Sequence, residues 1–519
     1  MATKMTAQTL TDPIYLDTTI WDTLDRNVAE RPDHPAIATL YEPAEHLSSL
    51  LPQPLRHVGT SKTFAWTYAQ LAAGAETVAR HFLRLGLRTG DRLAVFMVSG
   101  VENLVCMLAC MRIGVTWATT NPAFAEDAQH ASHIFKTVKP RGVLVSSPEQ
   151  AKALNRYIPT AGSDERPTFF FVWGGENIPQ DVQWTTLQDS LHTQVPMSED
   201  FGHAVSVARQ EKHFPLIMFT SGTTNLPKAC PISARAVSHV LHHGTAYLGF
   251  HHNTRQLVSG PMFHGLGVWL SLMTLYKAGT VCLATRQFDP ATCLHTLDTL
   301  GCTGLALAPS MVYSVISQPN FVAGAYRQVE TFVLGTDYIS KDVVELVRAS
   351  FQPRSVLNTW GMTEGMICLM AHHNDPIVWH GDLCYCGYVV PGCSIRICDP
   401  ETGHVLSRGQ TGELQMSGPS VIDGYLAGDE IYQNEAFCND GSRTWFKSGD
   451  AALMKRTGEV FIQGRYKDMI IRGGENMSPG YIENCIDGIE GVKVRKHLGN
   501  SVPEQRLTLS LLVPSRRTC

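Results

Sequence analysis

Apolar residues recur along this chain in two rhythms. Over 70–85 they fall three and four apart and stop at Gly86, which predicts an amphipathic helix ending on a glycine. Residues 20–29 carry a shorter version of the same pattern. Short apolar runs at 92–98, 115–118, 142–146 and 169–173 predict strands. Between the first two, 102–113 predicts a helix whose Met, Cys and Leu face is core. Strand–helix–strand alternation of this kind builds a largely parallel sheet covered by helices. Residues 47–57, with Pro52 and Pro54, predict a surface loop, and the polar stretch 198–212 predicts a linker.

The alternation then resumes. Residues 214–219 predict a buried strand and 232–248 a helix. A strand at 256–262 ends at Phe263-His264-Gly265-Leu266-Gly267, with a helix at 268–278 and a strand at 280–284 behind it. Asp289 and Pro290 read as the N-cap and first turn of another helix. Strands follow at 304–308 and 331–335, and 356–360 leads into Gly361-Met362-Thr363-Glu364-Gly365. From about Gly387 short β-like runs at 394–398, 412–417 and 460–464 alternate with Gly and Asp turns. The expected fold class is therefore α/β. A large N-terminal domain of helix-covered, mostly parallel sheets occupies 1–386, and a β-rich subdomain occupies 387–466.

Composition narrows the function classes. A chain of 519 residues exceeds one ordinary core, so about two to four structural units are expected. The net charge of −5 supplies no basic field for nucleic acid. No apolar run is long enough to span a bilayer. Met1-Ala2-Thr3-Lys4-Met5 leads into polar and acidic residues rather than a hydrophobic signal segment. The 14 cysteines are scattered among apolar residues, which suits reduced thiols in a core. Arg517-Thr518-Cys519 is neither a peroxisomal ending nor a prenylation box. A cytoplasmic protein is expected, with a peroxisomal address open only to a longer form.

Candidate chemistry concentrates where the strand at 214–219 meets the helix at 232–248. Thr220, Ser221, Gly222, Thr223, Thr224, Asn225, Leu226, Pro227 and Lys228 place four hydroxyls, a glycine and a lysine at a strand-to-helix junction. Hydroxyls and backbone N–H groups donate to phosphate oxygens, Gly222 permits close approach, and Lys228 adds positive charge. The stretch suits a polyphosphate but does not meet the GxxxxGK[ST] pattern.

Three further motifs follow in order: Asn358-Thr359-Trp360-Gly361-Met362-Thr363-Glu364, Trp445-Phe446-Lys447-Ser448-Gly449-Asp450, and Gly464-Arg465-Tyr466-Lys467-Asp468. Asn121-Pro122, Pro261-Met262-Phe263-His264, Gly424-Tyr425-Leu426 and Gly473-Gly474-Glu475-Asn476 accompany them. In order and spacing the set resembles the adenylate-forming superfamily of acyl-CoA synthetases, luciferase-like enzymes and peptide-synthetase adenylation domains. Its nearest flavour is that of fungal acyl-CoA ligases of secondary metabolism.

The resemblance implies a two-step reaction using ATP, Mg²⁺ and CoA. A carboxylate attacks the α-phosphate of ATP to give acyl-AMP, and a thiol then displaces AMP. An anion attacking an anion needs cations and positioned donors. By resemblance, Thr220, Ser221, Thr223, Thr224 and Lys228 hold the β- and γ-phosphates. Trp360 lies against adenine, Thr363 contacts the α-phosphate, and Glu364 binds Mg²⁺. Gly335, Thr336 and Asp337 flank adenine and the acyl pocket. Asp450 accepts from the ribose hydroxyls with help from Arg465, and Lys467 is the hinge of a small C-terminal lobe. Gly473, Gly474 and Glu475 line the thiol tunnel. His264, with Phe263, stands beside the acyl carboxylate, a purely structural histidine being the other reading. Pocket residues are expected at 263–269, 308–313, 334–338 and 360–367, for an aliphatic fatty or polyketide-type acid. A carrier protein acting in trans is the alternative acceptor to CoA.

Several positions depart from the family pattern. Asn225 and Ala229 replace usual glycines. The late Pro-x-x-x-x-Gly-Lys segment is not found in 467–519, so the lobe reads as truncated α+β. This implies weakened adenylation, or a nucleotide- and acyl-binding protein without full catalysis. His239, His242 and His243 read as a solvated helix face, since Val240 stands where HExxH needs Glu. Cys384, Cys386, Cys393 and Cys398 lack the paired spacing of a zinc knuckle. Gly361–Gly365 imitates a nucleophile elbow, but an α/β-hydrolase reading leaves the phosphate loop unexplained.

Overall fold

The long amphipathic helix predicted at 70–85 forms at Tyr68–Leu85, and both ends follow from local chemistry. Thr67 accepts from the Gln70 N–H and Gln70 returns a bond to the Thr67 backbone, a capping box. Gly86 closes the other end at φ 104°, in the left-handed region. Leu71, Ala75, Val78, Ala79 and Phe82 are fully buried on its inner face. In this computed structural model the described residues are 5–14, 16, 18–52, 62–175, 178–179, 182–187, 199–210, 213–220, 226–468, 470–472 and 475–477.

Three large sheets organise most of those residues, and Ile470–Arg472 pairs with Glu475–Met477 in a small fourth. A nine-stranded sheet holds Arg92–Phe96, Thr116–Thr119, Gly142–Val145, Phe169–Val172, Trp184–Thr186 and Leu216–Phe219 as parallel neighbours. A seven-stranded sheet holds Pro35–Pro43, Arg255–Val258, Thr280–Leu283, Gly304–Leu307, Thr331–Gly335 and Ser355–Thr359, all parallel, with Thr63–Thr67 antiparallel at its edge. The helix Val101–Arg112 is buried on almost every side, which matches its nearly continuous apolar sequence. The third sheet is antiparallel and is built from Leu383–Val389, Ser394–Cys398, Thr411–Ser417, Thr444–Met454 and Val460–Arg465. The α/β class, with helix-covered parallel sheets and a β-rich later part, is thus the observed one. Gln8–Thr9 also pairs with Ile395 and Arg396 of the third sheet, so the N-terminus closes on the β-rich part.

Three local expectations are corrected, the first being the linker expected at 198–212, where Glu199–Gln210 is a helix. The segment after the phosphate loop starts as a strand, not a helix: Ala229–Ile232 pairs antiparallel with Leu216–Phe219, and the helix begins at Ala234 behind the Ser233 cap. Pro231 argues against a strand locally, yet the outer side of this strand is paired only at Ala229, where a ring without N–H is tolerated nearby. The helix is therefore preceded by a hairpin. His239 and His243 do not form a solvated face either. Both are buried, with His239 Nε2 donating to the Pro391 carbonyl at 2.9 Å, and only His242 of the three is exposed.

Among the described residues the cysteines are free thiols, all buried except the half-buried Cys438. No helix of these residues is long and apolar enough to cross a membrane.

Burial of neutral imidazoles gives the fold a pH signature. Burial and neighbouring Arg84 hold His81 down at about 4. Burial, with His239 and His242 beside it, holds His243 at about 4. The unfolded chain takes up these protons near its ordinary value while the native state refuses them. Their stabilisation is therefore complete above about pH 6.5 and is lost as pH falls toward 4, by about 2 kcal/mol per group between pH 7 and 5. His239 opposes the trend: burial works against its proton, but Cys393 and the Pro391 carbonyl keep it. Urea midpoints at pH 7 and 5 should fall steeply for the wild type and less for His81→Leu. An equal decline in both would exclude His81 as a source.

Candidate active site

The site is assembled at the C-terminal ends of parallel strands, where side chains from successive loops converge. The strand Leu216–Phe219 delivers Thr220, and the returning strand begins just after Lys228. Thr220 N–H donates to the Lys228 carbonyl at 3.0 Å, and Lys228 N–H donates to Thr220 Oγ1 at 3.0 Å. These two bonds close the neck of the loop. Pro227 is buried and its carbonyl accepts from His133 Nε2 at 2.8 Å, which ties the loop to the helix Ala128–Val138. Leu226 and Lys228 are half-buried. Ser221, Gly222, Thr223, Thr224 and Asn225 lie outside the described residues.

Lys228 meets Glu364 through an intermediary. Its ammonium lies 4.8 Å from the centre of the Tyr425 ring, and Tyr425 donates its O–H to Glu364 Oε1 at 2.9 Å. Glu364 is 8% exposed and Tyr425 1%. Burial and the charge of Glu364 push the Tyr425 phenol far above its ordinary range, so it remains a donor. The Glu364 carbonyl accepts from Ile422 N–H at 2.9 Å, and Gly365 bridges to Val421. The backbone around Glu364 is thereby pinned to the segment that leads to Tyr425. Thr363 is half-buried beside it.

A second group forms at Asp450. Trp360 Nε1–H donates to its Oδ2 at 2.8 Å, and Arg465 Nε lies 3.0 Å from Oδ1. Asp450 and Arg465 are direct partners across antiparallel strands, so sheet register fixes the pair. Ser448 accepts from Asp450 N–H and donates to the Leu414 carbonyl, holding the turn. Asp450 is 4% exposed, and burial pushes its carboxyl up against the pull of Arg465 and Trp360. Glu364 adds to the rise, which marks the two carboxylates as electrostatic neighbours.

Gly335 ends the strand Thr331–Gly335 and pairs with Thr359, one residue before Trp360. A Cβ on Gly335 would lie 2.8 Å from Thr359 Oγ1, so only glycine allows that approach. Thr336 then takes φ 68°, and Asp337 is exposed. His264 caps the helix Gly265–Tyr276, its Nδ1 accepting from Leu266 N–H at 3.4 Å. The ring is open to solvent, yet surrounding protein pushes its imidazole below the ordinary value. It forms no hydrogen bond to Lys228, Glu364 or Asp450. Lys467 is exposed in the turn Tyr466–Asp468. Gly473 and Gly474 lie outside the described residues, as does the side chain of Glu475, whose backbone pairs with Arg472.

Sequence reasoning missed Tyr425 and His133 as members of the site. Gly424-Tyr425-Leu426 was visible only as a motif, with nothing local to connect it to Glu364. The metal-type ligands Glu42, His46 and Glu102 gather elsewhere, and there Arg286 is already ion-paired to both carboxylates. Cys384 and Cys386 are packed around Asn358, while Cys393 shares Ser420 with Cys368.

A family model described as AMP-binding enzyme matches residues 24–426. An acyl–CoA ligase of Pestalotiopsis microspora is 25% identical over 493 residues, covering 92% of this chain and 84% of that protein. A medium-chain fatty-acid–CoA ligase of Escherichia coli is 26% identical over 435 residues, covering 81% and 71%. The ATP-bound structure of MatB from Rhodopseudomonas palustris superposes with a TM-score of 0.70 at 24% identity, covering 92% of this chain and 84% of that one. At that identity the likeness speaks for the fold.

Proposed function

The chain belongs to the AMP-binding enzyme family, and from that premise we propose that it is an ATP-dependent acid–thiol ligase. It activates a carboxylic acid as acyl-AMP and passes the acyl group to CoA. The observation that carries this reading is the convergence of Lys228, Tyr425 and Glu364 with Trp360, Asp450 and Arg465.

The chemistry follows from charge. The attacking carboxylate and the α-phosphate repel each other, so the barrier falls only where cations and donors are already in place. Lys228, with Thr220 and the loop hydroxyls of Ser221, Thr223 and Thr224, receives the β- and γ-phosphates. Thr363 contacts the α-phosphate. Asp450 receives the ribose hydroxyls through the lone pairs that Trp360 and Arg465 leave, and Trp360 with Gly335, Thr336 and Asp337 flanks adenine. Glu364 supplies a hard oxygen ligand, and its Oε1 is held by a neutral donor rather than paired with a cation, which fits Mg²⁺. When bound, Mg²⁺ neutralises phosphate charge. His264, whose proton is disfavoured by the protein around it, serves beside the acyl carboxylate. Lys467 serves as hinge, with Gly473, Gly474 and Glu475 on the thiol side. A fatty or polyketide-type acid suits the Met- and Leu-rich segments 263–269 and 360–367.

The test is pyrophosphate release with a panel of fatty, aryl and polyketide acids, followed by mass spectrometry for acyl-CoA and for an acylated carrier protein. Acyl-CoA from an aliphatic acid is expected. Acylation of the carrier alone would move the acceptor, and ATP binding without any product would leave a nucleotide-binding role.

A further inference from the structure

We propose that Tyr425 is a positioning residue that keeps Lys228 and Glu364 from neutralising each other, so that the ammonium stays available to phosphate and the carboxylate to a divalent cation. This rests on the reading of Lys228 and Glu364 given above.

The geometry is that of a spacer with two faces of contact. The ring lies under the ammonium at 4.8 Å, a cation–π arrangement. The O–H reaches Glu364 Oε1 at 2.9 Å. Buried Cys230 feels both charges, Glu364 raising its thiol and Lys228 lowering it, so the two lie within electrostatic reach. Opposite charges at such range in a largely buried setting attract strongly, and an ion pair would be their resting state if nothing intervened. No ion pair joins them here; each instead contacts Tyr425. The ring cannot swing aside, because Tyr432 and Phe437 pack it at centroid distances of 5.9 and 5.7 Å. Tyr425 also pairs with Tyr432 along the strand Tyr425–Ala427.

Neutral donation to Glu364 has a second effect. It occupies one lone pair and fixes the carboxylate rotamer without cancelling its charge. A lysine in the same place would hold the carboxylate equally well but would compete with the cation.

The experiment titrates the full chain with ATP by calorimetry, with and without Mg²⁺. The wild type, Tyr425→Phe, Tyr425→Leu and the double variant Tyr425→Leu/Glu364→Gln are compared. Tyr425→Phe keeps the ring and loses only the O–H. Its metal-free ATP affinity should stay within about twofold, while half-saturating Mg²⁺ rises about tenfold. Tyr425→Leu removes the spacer, and metal-free ATP affinity should fall about tenfold as Lys228 closes on Glu364. Removing the carboxylate charge in the double variant should restore much of that affinity, which repair of a merely structural defect would not do. An unchanged Mg²⁺ requirement in Tyr425→Phe overturns the proposal, as does a double variant no better than Tyr425→Leu. If circular dichroism shows the Leu variants unfolded, the Phe variant decides alone. A wild type whose ATP binding ignores Mg²⁺ overturns the reading of Glu364 itself, and is told apart because it needs no variant.

Discussion

Glu364→Gln should slow acyl-AMP formation by about 100-fold or more, read as ATP–pyrophosphate exchange at saturating acid. The substitution is nearly isosteric. Its amide oxygen can still accept from Tyr425, and its backbone carbonyl still accepts from Ile422, so the segment should keep its place. What disappears is one negative charge in a site with 8% exposure. A cation that relied on that charge is then held by phosphate alone, and excess Mg²⁺ should recover part of the rate. Melting within a few degrees of the wild type would confirm that the loss is chemical. Exchange within about threefold of the wild type would remove Glu364 from its proposed role.

The second large effect is expected at Asp450. Asp450→Ala should raise the KM for ATP by about 100-fold, since its proposed role gives it two charge-assisted hydrogen bonds to a ribose. The same change should cost about 1–3 kcal/mol of stability, because the Trp360 N–H loses its buried acceptor. Arg465 contributes less to that figure, being exposed at its end of the pair. Arg465→Ala alone should be milder, and the double variant should fall well short of the sum of the two, since both act on one carboxylate. Additive losses would mean that Asp450 and Arg465 work independently.

Much of this arrangement could be read from the chain before any coordinates. The helix Tyr68–Leu85 announced itself through period, cap and terminal glycine. The helix Pro290–Thr299 did so through Asp289, which accepts from Thr292 N–H as an N-cap should. Trp360, Asp450 and Arg465 stood in recognisable motifs, and the structure joins them in one hydrogen-bonded group. Readings failed where the deciding contact is remote. Ala229–Ile232 looks like the run-up to a helix until Leu216–Phe219 is laid beside it. His239 looks solvent-facing until the Pro391 carbonyl arrives from the β-rich part. Tyr425 carries no local mark of its link to Glu364. Period and capping are short-range signals, whereas burial of a polar side chain depends on partners that sequence distance conceals.

The single rung between Ala229 and Leu426 carries a consequence for how this protein is handled. That rung sets Lys228 beside Tyr425, although the two lie far apart along the chain. The site therefore depends on a pairing between distant parts of the chain, whose closure costs conformational entropy. A ligand held between Lys228 and Glu364, both of which Tyr425 of the strand Tyr425–Ala427 contacts, favours the native state over any form in which that strand has peeled away. At one hundred times its dissociation constant such a ligand adds about 2.7 kcal/mol. Nucleotide in the refolding or storage buffer should thus act as a clasp, and amide exchange at Leu426 should slow first.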